Sequence, residues 1–200
     1  MRTKSEARRQ AIIETATQLF HEVGFENASM AEISARVGGS KATLYNYFSS
    51  KDELFVATVL AVAEGGLMEA FTLLQPTLPL REVLQKFGCH YLKVMLSPAM
   101  MATRRMVIAT SARSSVGRLL YEHGPKRGWG MVAAFLQSTM ERGELRQTES
   151  FLCAWHLRAL LESELVEVMM LGVLEETSPA QIAAVTERAV DAFLRAYRPD

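Results

Sequence analysis

Apolar residues recur every three to four positions along almost the whole chain, and no segment alternates apolar and polar residues as a half-buried strand does. From about Ser5 to Val23, the positions Ile12, Ile13, Ala16, Leu19, Phe20 and Val23 form one stripe, with Gly24 as its stop and Phe25 folding back onto the helix end. Ser29-Met30-Ala31-Glu32 has the capping-box form and opens a short helix, Met30 to Val37, with Ile33 and Val37 facing a core and Gly38 ending it. Ser40 caps a third helix that runs to about Phe48. A second box, Ser50-Lys51-Asp52-Glu53, starts a longer helix through Leu54, Phe55, Val59 and Leu60 toward Leu74.

Proline and glycine punctuate the rest. They mark helices over about Pro79 to Leu96, Ala99 to Ser111, Pro125 to Arg142, Glu149 to Gly172 and Pro179 to Tyr197. A short piece over 117–124, broken before Pro125, brings the set of nine helices to ten. The pattern predicts an all-α fold with no repeat and no low-complexity linker. It divides into a helix-turn-helix domain over 1–50 and a larger helical domain over 51–200.

Composition and charge narrow the possibilities. Nearly half of the 200 residues are hydrophobic, which is ample for a core, yet no window approaches 18 uncharged apolar residues. The N-terminal MRTKSEARRQ lacks a signal-type apolar run, so a cytoplasmic protein without a membrane partner is expected. Two cysteines, Cys89 and Cys153, fit a reducing compartment. The net charge is zero, but residues 144–200 carry ten acidic against five basic side chains, a poor surface for DNA. Arg2, Lys4, Arg8 and Arg9 crowd the other end against Glu6 alone, so phosphate contact is expected there.

The third helix is only about two turns long and would be marginal alone. With Leu44 at zero on a helical wheel, Phe48 falls at about 40°, so these two share the buried face. Ala42, Thr43 and Asn46 lie on the opposite arc, with Tyr45 and Tyr47 on its shoulders. Two short helices joined by a glycine turn make a helix-turn-helix candidate whose second helix enters the major groove. Its small outer residues let the backbone approach base edges. Thr43 and Asn46 are then suited to bases, and Lys41 and hydroxyls such as that of Ser40 to phosphates.

The matching positions run Ala16, Leu19-Phe20, Gly24-Phe25, Ser29-Met30, Ile33-Ser34 and Val37-Gly38, then Ser40-Lys41-Ala42-Thr43-Leu44-Tyr45-Asn46-Tyr47-Phe48 and Lys51-Asp52-Glu53-Leu54. With them the segment from Ile12 to Leu54 resembles the DNA-binding domain of the tetracycline-repressor (TetR) family of bacterial transcriptional regulators. The resemblance implies phosphate or base contacts for Thr43, Tyr45 and Tyr47. It implies a groove-facing helix start at Lys41 and Ala42, and phosphate contacts at Ser29 and Lys51. Gly39 departs from it, standing where the family usually has a small apolar residue, and a looser turn is expected there.

Beyond residue 67 the chain is rich in methionine and large rings. The resemblance implies a small-molecule pocket among helices four to eight, and a largely apolar effector is expected against Phe71, Phe87, Tyr91, Met95, Met106, Trp129 and Trp155. Arg104 and Arg105 are expected to pair with an anionic ligand or with Glu162. Leu157, Leu161, Leu165 and Val168 line one helix face, and Val185, Ala189 and Phe193 another. The resemblance makes these two faces a four-helix dimer bundle, which sets two recognition helices about 34–36 Å apart on a palindrome.

The Cys153…His156 spacing lacks the second ligand pair a metal site needs. No nucleophile elbow or glycine phosphate loop is present, so neither an enzyme nor a cofactor is expected. The expected function is a homodimeric DNA-binding regulator, a repressor released from its operator by an effector. The alternative is a helical small-molecule-binding protein without DNA activity.

Overall fold

The computed structural model describes residues 4–199, with side chains at all of these except positions 4, 64 and 65. Eleven α-helices and no strands are found among the described residues: α1 (Lys4–Asn27), α2 (Met30–Val37), α3 (Lys41–Tyr47), α4 (Lys51–Thr72), α5 (Leu80–Met95), α6 (Pro98–Ser111), α7 (Val116–His123), α8 (Pro125–Glu141), α9 (Ser150–Glu162), α10 (Val166–Met170) and α11 (Pro179–Ala196). The chain divides into two compact units, one of residues 1–62 with 103–123 and the other of 63–102 with 124–200.

That division differs from a boundary at residue 50. The first unit takes in the first half of α4, most of α6 and all of α7, because Val107 and Val116 are buried in the same core as Ile12, Phe20, Leu44 and Phe48. At its centre Phe20, Phe25 and Phe55 meet at ring separations of 5.0–5.9 Å. Gly24 bends α1 with φ 78°, a left-handed backbone that glycine adopts without steric cost, and this turns Phe25 into the core. Arg36 on α2 pairs with Glu22 on α1 at 2.6 Å and with Glu32 at 2.9 Å.

In the second unit α5 packs on α11, and α9 packs on both α8 and α11. Close approach of α5 depends on Gly88, where a Cβ would lie 2.7 Å from Thr186 Cγ2 and 2.8 Å from Leu161 Cδ2. The helix expected over 149–172 is two helices, α9 and α10, separated at Ser163–Leu165. Ser163 Oγ donates to Leu160 O at the break, a local side-chain bond of the kind that competes with helix continuation. Ser178 and Gln181 form a full capping box at the start of α11.

Candidate functional site

The helix-turn-helix is built almost entirely from caps. Ser29 Oγ accepts from Glu32 N at 3.1 Å and starts α2. Glu32 itself turns to Arg36, so this box is only half closed. At the far end Gly38 N bonds Ala35 O and Gly39 N bonds Ser34 O, the paired bonds of a Schellman turn, with Gly38 at φ 72°. Ser40 Oγ then accepts from Thr43 N at 3.0 Å and lies 2.9 Å from Thr43 Oγ1. The hydroxyls of Ser40 and Thr43 are therefore turned toward each other at the start of α3.

The faces of α3 separate as the wheel predicts except at Thr43, which the wheel puts on the outer arc and the fold half-buries. Leu44 and Phe48 are buried, while Lys41, Ala42, Tyr45 and Asn46 are exposed and Thr43 and Tyr47 half-buried. The Lys41 ammonium sits 5.9 Å above the Tyr45 ring, so cation and aromatic present one surface. Seven residues make a weak helix, and α3 is held by the burial of Leu44 and Phe48 in the first core.

Two basic side chains at this end turn inward. Lys51 Nζ donates to Phe25 O at 2.8 Å, Ala28 O at 3.1 Å and Glu26 O at 3.3 Å, and lies 4.2 Å from the Phe25 ring centroid. All three ammonium donors thus serve the α1–α2 junction. Arg8 donates through Nη1 to Val37 O at 3.3 Å and through Nη2 to Gly38 O at 3.1 Å. Arg2 lies outside the described residues, as does the side chain of Lys4. Asp52, beside Lys51, accepts from Ser115 N at 2.8 Å and from Ser115 Oγ at 2.6 Å. This carboxylate therefore ties the start of α4 to the α6–α7 turn.

The second unit holds an aromatic cluster. Phe71, Phe87, Tyr91, Trp129 and Trp155 form a chain of ring contacts at 5.2–6.4 Å, with Gly128 leaving room for Phe71. Phe87, Tyr91 and Trp129 are buried and Met95 borders them half-buried. Tyr91 donates its hydroxyl to Glu162 Oε1 at 2.5 Å, and Arg158 Nε donates to the same oxygen at 3.0 Å while its guanidinium lies 4.9 Å over Trp155. Burial pulls the Arg158 guanidinium down, but Tyr91 and Glu162 outweigh it and hold it above its ordinary value.

Glu162 pairs with Arg158, a helical i,i+4 partner visible in the sequence. Arg105 is exposed, and Met106 packs on the first core beside Val107. A separate cleft of about 690 Å³ lies along α5 and the start of α11, between Leu73, Leu96 and Ile182, with Lys86, His90 and Lys93 along one edge.

The expected dimer face needs revising. Leu157, Leu161, Leu165, Val185, Ala189 and Phe193 are buried in the protomer's own core, and Val168 is half-buried. The six buried side chains cannot also present a surface to a second copy. The exposed sides of these helices carry Leu152, His156 and Ala159 on α9, and Ala180, Ala183 and Ala192 on α11. Cys153 is fully buried, whereas His156 is exposed and hydrogen-bonded through Nδ1 to the Tyr197 hydroxyl, so the two do not share a ligand sphere.

Residues 12–58 match the family model for bacterial regulatory proteins of the tetR family, and residues 82–199 match the AefR-like transcriptional repressor C-terminal domain. Over 75 residues the chain is 36% identical to the HTH-type transcriptional repressor AcnR of Corynebacterium diphtheriae, a match covering 34% of this chain and 40% of that protein's length. A TetR-family transcriptional regulator from Mesorhizobium loti superposes with a TM-score of 0.84 at 29% identity, covering 98% of this chain and 100% of that one. The Flavonoid-responsive Regulator FrrA gives 0.82, also at 29% identity, over 96% of this chain and 98% of its own.

Proposed function

The chain belongs to the TetR family of bacterial regulatory proteins, and from that premise we propose that it is a homodimeric repressor released from a palindromic operator by an aromatic effector. The observation that carries the DNA half is the face of α3. Lys41, Ala42, Tyr45 and Asn46 are exposed together, on a helix whose other side is anchored by Leu44 and Phe48. Ala42 and Asn46 approach bases, Thr43, Tyr45 and Tyr47 flank them, and Lys41, Ser40 and the α2 N-terminus at Ser29 meet phosphates. Lys51 contributes by fixing the α1–α2 junction, since its donors are taken by three carbonyls.

The effector site is the cluster of Phe71, Phe87, Tyr91, Trp129 and Trp155. Rings favour an aromatic guest, and the Tyr91–Glu162–Arg158 set offers hydrogen bonds to a phenol or carboxylate. The structural similarity to FrrA, a flavonoid-responsive regulator, supports this class. Helices α4 and α6 each run from one unit into the other, and Asp52–Ser115 joins their ends within the first unit. Through them the effector alters the posture of α3, a coupling of about 1–3 kcal/mol, or roughly 5- to 150-fold in operator affinity. Dimerisation uses the outer faces of α9 and α11, where exposed alanines permit close approach.

Two experiments test these readings. Tyr47→Ala is expected to weaken binding in a mobility-shift assay while light scattering still gives a dimer; undiminished binding contradicts the α3 assignment. Trp129 and Trp155 are the only tryptophans, so an effector seated in the cluster must change intrinsic fluorescence as it releases DNA. An inducer that releases DNA without altering that emission places its site elsewhere.

A further inference from the structure

We infer that Arg8 and Gly39 form one device, in which Arg8 positions the recognition helix and position 39 is glycine so that the Arg8 guanidinium can enter. Three successive carbonyls leave α2 at the turn, and each has a side-chain donor. Arg8 takes Val37 O and Gly38 O, and Ser34 Oγ takes Gly39 O at 2.8 Å. The next residue is Ser40, the cap of α3. Fixing these carbonyls therefore fixes where α3 starts.

The two glycines of the turn are there for different reasons. Gly38 has φ 72° and open space where a Cβ would lie, so its backbone calls for glycine. Gly39 does not have a positive φ, so its backbone conformation does not call for glycine. What a Cβ at position 39 meets is Arg8 Nη2, at 2.6 Å, with Arg8 Cζ at 3.8 Å. That neighbour is the end of a flexible side chain, so a larger residue evicts the guanidinium and leaves the fold intact. The missing side chain does not loosen the turn, because Arg8 fills its place. A guanidinium at the end of α2 also complements the negative pole of that helix.

This inference rests on the DNA-binding reading, and its test separates the two. A duplex is first selected by the wild-type protein from a random library; failure to select any duplex counts against DNA binding itself. Arg8→Ala, Gly39→Val and the double variant, each checked for native circular dichroism, are then titrated on the selected duplex and on an unrelated one across a salt series. Each single variant is expected to lose about 5- to 30-fold on the selected duplex. Binding to the unrelated duplex and the salt slope stay unchanged. The double variant loses no more than Arg8→Ala alone, because both changes remove the same contact.

Gly39→Val keeps every charge, so it reports position alone. A phosphate-contact role for Arg8 predicts something else. Arg8→Ala would weaken both duplexes and lower the salt slope by about 0.9 per protomer, with Gly39→Val neutral. That pattern, wild-type affinity in both single variants, or additive losses in the double variant overturns the inference.

Discussion

Replacing Lys51 by methionine keeps the length and most of the apolar stem of the side chain while removing its ammonium. In the native protein that ammonium donates to Phe25 O, Ala28 O and Glu26 O at 2.8–3.3 Å and sits 4.2 Å from the Phe25 ring centroid. The bond to Glu26 is exposed, so water replaces it at little cost. The bonds to Phe25 and Ala28 are part-buried. Counting these two at about 0.75–1 kcal/mol each, and the cation–π contact at about 0.5–1 kcal/mol, gives a loss of about 2–3 kcal/mol. For a chain of this size that lowers the melting temperature by roughly 4–12 °C. The assay is thermal unfolding by circular dichroism, joined to a salt series of DNA titrations. The salt slope is expected to hold, because no phosphate contact is lost. A melting temperature within about 1 °C of wild type, together with a slope reduced by about 0.9 per protomer, would refute the reasoning and return Lys51 to the phosphate backbone.

Other substitutions probe the second unit. Gly88→Ala drives a methyl into Thr186 and Leu161 and is expected to cost about 1–3 kcal/mol in urea unfolding, despite alanine's better helix propensity; a stabilised variant contradicts the close packing of α5. Among the described residues Thr186 Oγ1 is buried without a hydrogen-bond partner, so Thr186→Val is expected to raise the melting temperature by about 2–4 °C, and a lower one would mean that the hydroxyl is satisfied. Burial pushes the Cys153 thiol from 9.0 up to about 12. Between those values the unfolded chain has lost a proton that the folded one keeps, so stability falls as pH rises, by about 1.4 kcal/mol per pH unit. Urea unfolding at pH 8–11 measures this, and Cys153→Ala should flatten the slope; an unaltered slope in that variant contradicts the burial argument.

Local features of the fold were legible in the sequence wherever local chemistry decides them. Ser29, Gly38 and Ser40 set the ends of α2 and α3, and Gly24 bends α1, because caps and positive φ act within a few residues. The apolar stripe of 149–172 continues across residues 163–165, so periodicity alone predicts one helix where the backbone makes two. Stripes also say that a face is buried without saying against what. Leu157, Leu161 and Phe193 carry the pattern of a dimer seam and fill their own protomer's core.

Charges are harder still. Lys51 and Arg8 meet carbonyls 23–30 residues away, and a cation beside a DNA-facing helix has the same local pattern whether its partner is a carbonyl or a phosphate. Gly39 reads as a loss until Arg8 is seen in its place. The i,i+4 spacing of Arg158 and Glu162 is readable from the chain, whereas Tyr91, 71 residues from Glu162, closes that set only in the folded protein.

The central claim is that the exposed face of α3 reads a duplex as one half of a symmetric pair. Selection of duplexes from a random library by the wild-type protein tests it most directly. Enrichment of one inverted repeat is expected, with half-sites centred one helical turn or a multiple of it apart, and loss of that enrichment in Tyr47→Ala. Recovery of unrelated sequences, or equal binding of every duplex at physiological salt, would contradict it.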